Sequence, residues 1–155
     1  MIYKNIKLLR KEEFRGKKIL AVDFGATKFG VAISDVEQKV AMPKKTYLRE
    51  DKDKDIKILI DLLSENETNL IIFGLSLDKK GNYNKSAQQM RSFVDIFLKD
   101  NDVDVFFWDE RYSTVAAQKS LAGSGFDNIE KNLIDDKVAA SLILQAVLDF
   151  INQAI

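Results

Sequence analysis

The sequence predicts an α/β fold, a mixed five-stranded sheet with helices on both faces. Two short apolar runs at residues 19–22 and 29–33 lie only a few residues apart, as the strands of a hairpin do. Downstream, apolar runs of strand length alternate with stretches of helical spacing, the mark of parallel strands joined by crossover helices. The chain of 155 residues, 46% of them hydrophobic, suits one domain with a sizeable core.

Residues 1–17 are strongly charged and read as an N-terminal extension, a short helix packed on the sheet edge or a loose arm, ahead of a domain over 18–155. Ile19, Leu20, Ala21 and Val22 form a strand covered on both faces, which ends at Asp23 and turns at Gly25. In the second strand, 29–33, Gly30 marks a close approach of chain or ligand. A third strand over 40–48 carries Pro43, the only proline, which suits an edge. Residues 49–55 read as a solvated charge run, in which Asp51, Asp53 and Asp55 alternate with neutralising lysines.

Ile56, Leu59, Ile60, Leu62 and Leu63 recur with helical spacing, so a helix spans 52–65 and Asn66 stops it. A strand at 70–75 leads through the polar loop 76–84 to a helix from Lys85 that turns Met90, Phe93, Val94, Phe97 and Leu98 inward. The next strand, 103–108, ends at Asp109, Glu110 and Arg111, before a helix from Ser113 that Gly123 and Gly125 close. After a loop at 124–133, a long helix over 136–151 buries the stripe Ala139, Ala140, Ile143, Val147 and Ile151. Three antiparallel strands followed by strand and helix units give the element order of the ribonuclease H-like fold.

Composition narrows the chemistry. Without Cys or His the chain has no thiolate, no imidazole base and no usual zinc ligand. A hydrolase made from this alphabet activates water with carboxylates around an oxygen-loving cation, Mg²⁺ or Mn²⁺. With 24 basic and 24 acidic residues the formal charge is zero, so only local clustering speaks about a polyanionic partner. No apolar run is long enough for a bilayer and no signal peptide is evident, which points to the cytoplasm.

Acids stand where a site would form. Asp23 ends the first strand, Asp109 and Glu110 the last, and Asp136 opens the final helix, with Asp135 better placed to cap it. Each has a plainer reading: Asp23 as a turn cap or partner of Lys28, Asp109 and Glu110 as solvated acids beside Arg111, and Asp136 as a favourable charge at a helix N-terminus. Together they would repel one another unless a cation neutralised them. Lys79, Lys80, Lys85 and Arg91 cluster in and after the 76–84 loop, with Tyr83 able to stack on a base. Lys28, Arg111, Lys131 and Lys137 fall near the expected rim.

Taken together, Asp23-Phe24-Gly25 leading to Gly30-Val31-Ala32, Gly74-Leu75 with Gly81 and Ala87, Asp109-Glu110-Arg111 with Ser113-Thr114, and Asp136 followed by Ala139-Ala140 and Leu142 to Gln145 resemble the YqgF, or RuvX, family of bacterial pre-16S rRNA nucleases and Holliday-junction resolvase-like proteins. The resemblance runs from Lys18 to Phe150. It implies metal-dependent cleavage of structured nucleic acid, with Asp23, Glu110 and Asp136 as the metal-holding acidic triad and Asp109 as a substitute for Glu110. From their clustering and their place near the expected rim, Lys28, Lys79, Lys80, Lys85 and Arg111 are the candidate nucleic-acid contacts. The implied partner is pre-16S rRNA, with a four-way DNA junction as rival substrate and a non-catalytic ribosome-assembly factor as rival role. Either a monomer or a homodimer is compatible, symmetric junction cutting requiring the dimer. Gly25-Ala26-Thr27-Lys28 departs from the family's Gly-Thr-Lys, and Gly74-Leu75-Ser76 from its Gly-Leu-Pro. The run 23–30 also resembles the first phosphate loop of actin-like ATPases, but those enclose nucleotide with a second comparable domain, for which this chain has no room.

Overall fold

The Asp23 strand occupies the middle of a sheet whose two faces are both covered. The computed structural model describes residues 1–78, 80–110 and 135–153. Its strands are β1 (Ile2–Tyr3), β2 (Leu20–Phe24), β3 (Lys28–Ser34), β4 (Ala41–Leu48), β5 (Leu70–Leu75) and β6 (Asp104–Asp109), in the spatial order β1-β6-β5-β2-β3-β4. β2, β3 and β4 run antiparallel, whereas β5 pairs parallel with β2 and β6, and β1 pairs parallel with β6. The helices among the described residues are α1 (Lys52–Glu65), α2 (Lys85–Lys99) and α3 (Asp136–Ile151), together with two short 3₁₀ turns near the N-terminus.

The period of two along each strand sorts the core into two layers. Leu20, Val22, Val31, Ile71, Phe73 and Val105 face α1 and α2. Ile19, Ala21, Ala32, Leu70, Ile72 and Phe106 face α3, which buries Ala139, Ala140, Ile143, Val147 and Ile151 against them. Helices therefore cover both faces, as expected. Pro43 sits on the outermost strand, β4, next to a register shift between Val31 and Ala32, where a missing N–H costs the sheet nothing.

Among the described residues six strands replace the expected five, because Ile2 and Tyr3 pair with Val105 and Phe106. Tyr3 stacks on Phe106 with ring centroids 4.6 Å apart, and Leu9 and Phe14 are buried in the α3 layer. These few apolar residues tie a charged segment to the sheet edge. The solvated reading of residues 49–55 also needs correction, since the side chain of Asp55 is buried and ion-paired to Arg49 rather than to a lysine. No described helix is long and apolar enough to cross a membrane. The helix expected from Ser113 and the loop after it lie outside the described residues.

Candidate active site

Strand alternation decides which acids meet. Asp23 follows Ile19 and Ala21 onto the α3 side of the sheet, and Glu110 follows Phe106 and Trp108 onto the same side. Asp136 is the first residue of the helix that covers that side. The three acids, from three separate elements, line one cavity of about 220 Å³ at the carboxyl ends of the parallel strands, with Phe24, Gly25, Gly74, Ser76, Ser86, Ala87 and Met90 completing its wall. Asp23 and Glu110 are buried and Asp136 half-buried. Asp109 is the register partner of Leu75, alternates to the opposite side with Val105 and Phe107, and does not line the cavity.

Two glycines make this convergence possible. Gly30 is the register partner of Asp23, and a Cβ on Gly30 would overlap the backbone carbonyl of Asp136 and the nitrogen of Lys137. The start of α3 thus rests directly on β3 beside Asp23. At Gly74 a Cβ would come within 2.8 Å of Glu110 Oε1 and of Ile143 Cδ1, so this missing side chain is the cradle for the Glu110 carboxylate.

The N-terminus of α3 is pinned from β4. Asp135 is the N-cap and accepts from the Lys137 N–H at 3.2 Å. The Thr46 hydroxyl hydrogen-bonds Asp135 Oδ1 and also accepts from the Lys137 N–H at 3.1 Å. The Thr46 hydroxyl first, then the Lys137 N–H, hold the Asp135 carboxyl below its ordinary value of 3.8. A lowered carboxyl contributes stability that is complete above the unfolded value and disappears as pH falls through the folded one. Thr46→Val removes a capping contact that is solvent-screened and is expected to cost about 0.5 kcal/mol at pH 7. The difference from wild type should be full above pH 3.8 and shrink as pH falls below it through the lowered folded value of Asp135. Thermal melts at pH 7 and pH 3 read both numbers, and a difference that is constant with pH would contradict the pinning.

The candidate nucleic-acid contacts are distributed around this centre. Lys28 opens β3, is exposed, and exerts its charge on Asp135. Lys80 is exposed in a tight turn whose carboxylate, Asp78 Oδ1, accepts from the N–H groups of Lys80 and Asn82, both at 2.9 Å. Exposed Lys85 opens α2, whose cap Asn84 accepts from Ala87 N–H at 2.8 Å and donates to Ser76 Oγ at 2.9 Å. Lys79 and Arg111 lie outside the described residues. Ser76 and Ser86 both border the cavity; the sequence marks Ser76 only as a departure from the family's Gly-Leu-Pro, and nothing but its place just after the Asn84 cap hints at Ser86.

The donor set is oxygen throughout, the choice of Mg²⁺ or Mn²⁺ rather than of zinc. Among the described residues no three acidic side chains are drawn together into a ready-made ion cage. Mg²⁺ does not need one, since it keeps several waters and takes one or two carboxylates together with substrate phosphates. Buried carboxylates, a cradle at Gly74 and room for water in the cavity fit that mode of binding.

Residues 17–150 match the family model RuvX, described as Holliday junction resolvase. A protein of Ehrlichia ruminantium (strain Welgevonden) named "Putative pre-16S rRNA nuclease" is 36% identical over 151 residues, 97% of each chain. One of the same name from Clostridioides difficile (strain 630) is 35% identical over 133 residues, 86% of this chain and 94% of its own. Among solved structures, T. thermophilus RuvC in complex with a Holliday junction substrate superposes with a TM-score of 0.54 at 12% identity, covering 87% of this chain and 93% of RuvC. That likeness is one of fold, and it agrees with the ribonuclease H-like topology.

Proposed function

This chain belongs to the RuvX family, and from that premise we propose that it is a metal-dependent endonuclease of structured RNA that processes the 5′ end of pre-16S rRNA. The observation that carries the reading is the meeting of Asp23, Glu110 and Asp136 in one cavity at the carboxyl edge of the sheet. Asp23, Glu110 and Asp136 are the residues that would hold Mg²⁺ or Mn²⁺. When bound, the cation supplies charge neutralisation at phosphorus and lowers the pKa of water.

The chain's own residues do the rest. The carboxylates fix the attacking geometry from a rigid strand and a pinned helix start, and burial at the sheet edge limits their reorganisation during the reaction. Ser76 and Ser86 border the space that a phosphate oxygen would enter. Lys28, Lys80, Lys85, Lys79 and Arg111 are the candidate backbone contacts, positioning the nucleic acid without reading its sequence.

The family description favours a second substrate, a four-way DNA junction. Incubation of the purified protein with a pre-16S 5′ fragment and with a four-way junction, in Mn²⁺ and in chelator, separates the readings. Cleavage of the RNA alone, in Mn²⁺ alone, is expected. Cleavage confined to the junction would replace the substrate, and RNA binding with no metal-dependent cleavage of either would replace the enzyme by an assembly factor.

A further inference from the structure

We propose that Arg49 is a positioning residue for the candidate site: its guanidinium locks the turn that follows Asp23, and the buried Asp55 carboxylate locks Arg49 in place. The proposal rests on the nuclease reading of that site. Arg49 follows β4 directly, and its backbone N–H donates to the Thr27 carbonyl at 2.8 Å. Its side chain returns to the same turn, where Nη1 donates to the Gly25 carbonyl at 3.2 Å. One residue therefore holds two carbonyls of the loop between β2 and β3. Phe24 and Gly25, which this loop presents, form the cavity wall next to Asp23.

The anchor is unusually well enclosed. Asp55 is 0% exposed, accepts from Arg49 Nε at 3.3 Å and receives the Glu50 N–H at 3.2 Å. The guanidinium lies over the Phe24 ring, 4.2 Å from its centroid, and Phe24 in turn packs on Phe93 of α2 at 4.8 Å. Arg49 is thus clamped on one edge by a carboxylate and on its face by an aromatic ring, with the remaining arm of its planar fork directed at Gly25.

Stability alone does not account for this arrangement. A buried ion pair is commonly no more stabilising than apolar residues of the same volume, because both charges lose their hydration. The pair does, however, give the turn a fixed, part-buried partner, where a hydrogen bond to a carbonyl is stronger than in open water. A lysine would supply the charge but not the fork that reaches Asp55 and Gly25 together.

Removal of one charge would strand the other in the core, so the test uses the double variant Arg49→Met/Asp55→Asn, in which Met covers Phe24 and neither charge is left behind. Circular dichroism is expected to show a folded protein. With the pre-16S fragment, KM stays within about twofold while kcat drops on the order of tenfold to a hundredfold, the effect of a small misplacement at the reacting centre. Electron paramagnetic resonance of free Mn²⁺ should show weaker Mn²⁺ binding than in wild type. Arg49→Lys should remain well below wild-type kcat. Wild-type kcat and Mn²⁺ affinity in the double variant would overturn the clamp, as would a loss of kcat that only tracks loss of folded protein. A wild-type protein without Mn²⁺-dependent cleavage would instead remove the nuclease reading and the clamp with it.

Discussion

Asp23→Asn is expected to lower metal-dependent cleavage by more than about 100-fold while leaving the fold intact. The magnitude follows from comparison: loss of a group that merely supports a metal ligand already costs 10–100-fold, and Asp23 is proposed as a ligand itself. Asn preserves the shape of the side chain and removes its charge, so the strand, with Val22 paired to Val31 and Phe73, has no reason to move. Glu110→Gln should behave in the same way. Asp109→Asn should stay within a few-fold of wild type, because Asp109 alternates to the α1 and α2 side and does not line the cavity. Single-turnover cleavage of the pre-16S fragment, with circular dichroism as the control of folding, reads all three variants. Full activity in Asp23→Asn would withdraw its role, and equal losses at Asp109 and Glu110 would withdraw the geometric choice between them.

That choice marks a boundary of what sequence can convey. Asp23 was legible as an acid at the end of a buried strand, and Asp135 as the cap rather than the site acid, because both depend on neighbours in the chain. Strand periodicity alone does not separate Glu110 from Asp109; only the family resemblance ranks Glu110 first. Val105 and Phe107 are apolar on one side and Phe106 and Trp108 on the other, so a strand buried on both faces leaves no alternation to say which side is which. The sheet's edge strands divide likewise. Pro43 announced an edge, whereas β1 is only two residues long within a charged segment and becomes a strand through pairing with distant β6. In sequence Asp55 sits in a charge run, and such runs are usually solvated; its burial depends on Arg49, Phe24 and Phe93 meeting, and no local pattern records that. The need for a small residue at Gly30 was visible, but its partner was not.

Gly30→Ala should be the most destabilising of the conservative changes near the site, for a reason specific to its surroundings. Inserting a methyl group into a packed interior commonly costs 1–3 kcal/mol when side chains can turn away. Here the obstacle is the backbone of Asp136 and Lys137, the first turn of α3, and that turn is held to β4 through Thr46 and Asp135. It cannot swing aside, so the loss should be about 3 kcal/mol or more. For a chain of this size that lowers Tm by roughly 6–12 °C. Cleavage should fall beyond what the unfolded fraction explains, because displacement of α3 carries Asp136 away from Asp23. Gly16→Ala is a useful contrast: no atom lies within 4 Å of its Cβ, and its cost comes only from a φ of +77° in a surface turn away from the acids. Thermal melts and cleavage at a temperature where both variants are folded distinguish the two mechanisms. A Gly30→Ala protein with wild-type Tm would mean that α3 does not rest on β3, and the meeting of Asp23 with Asp136 would lose its physical basis.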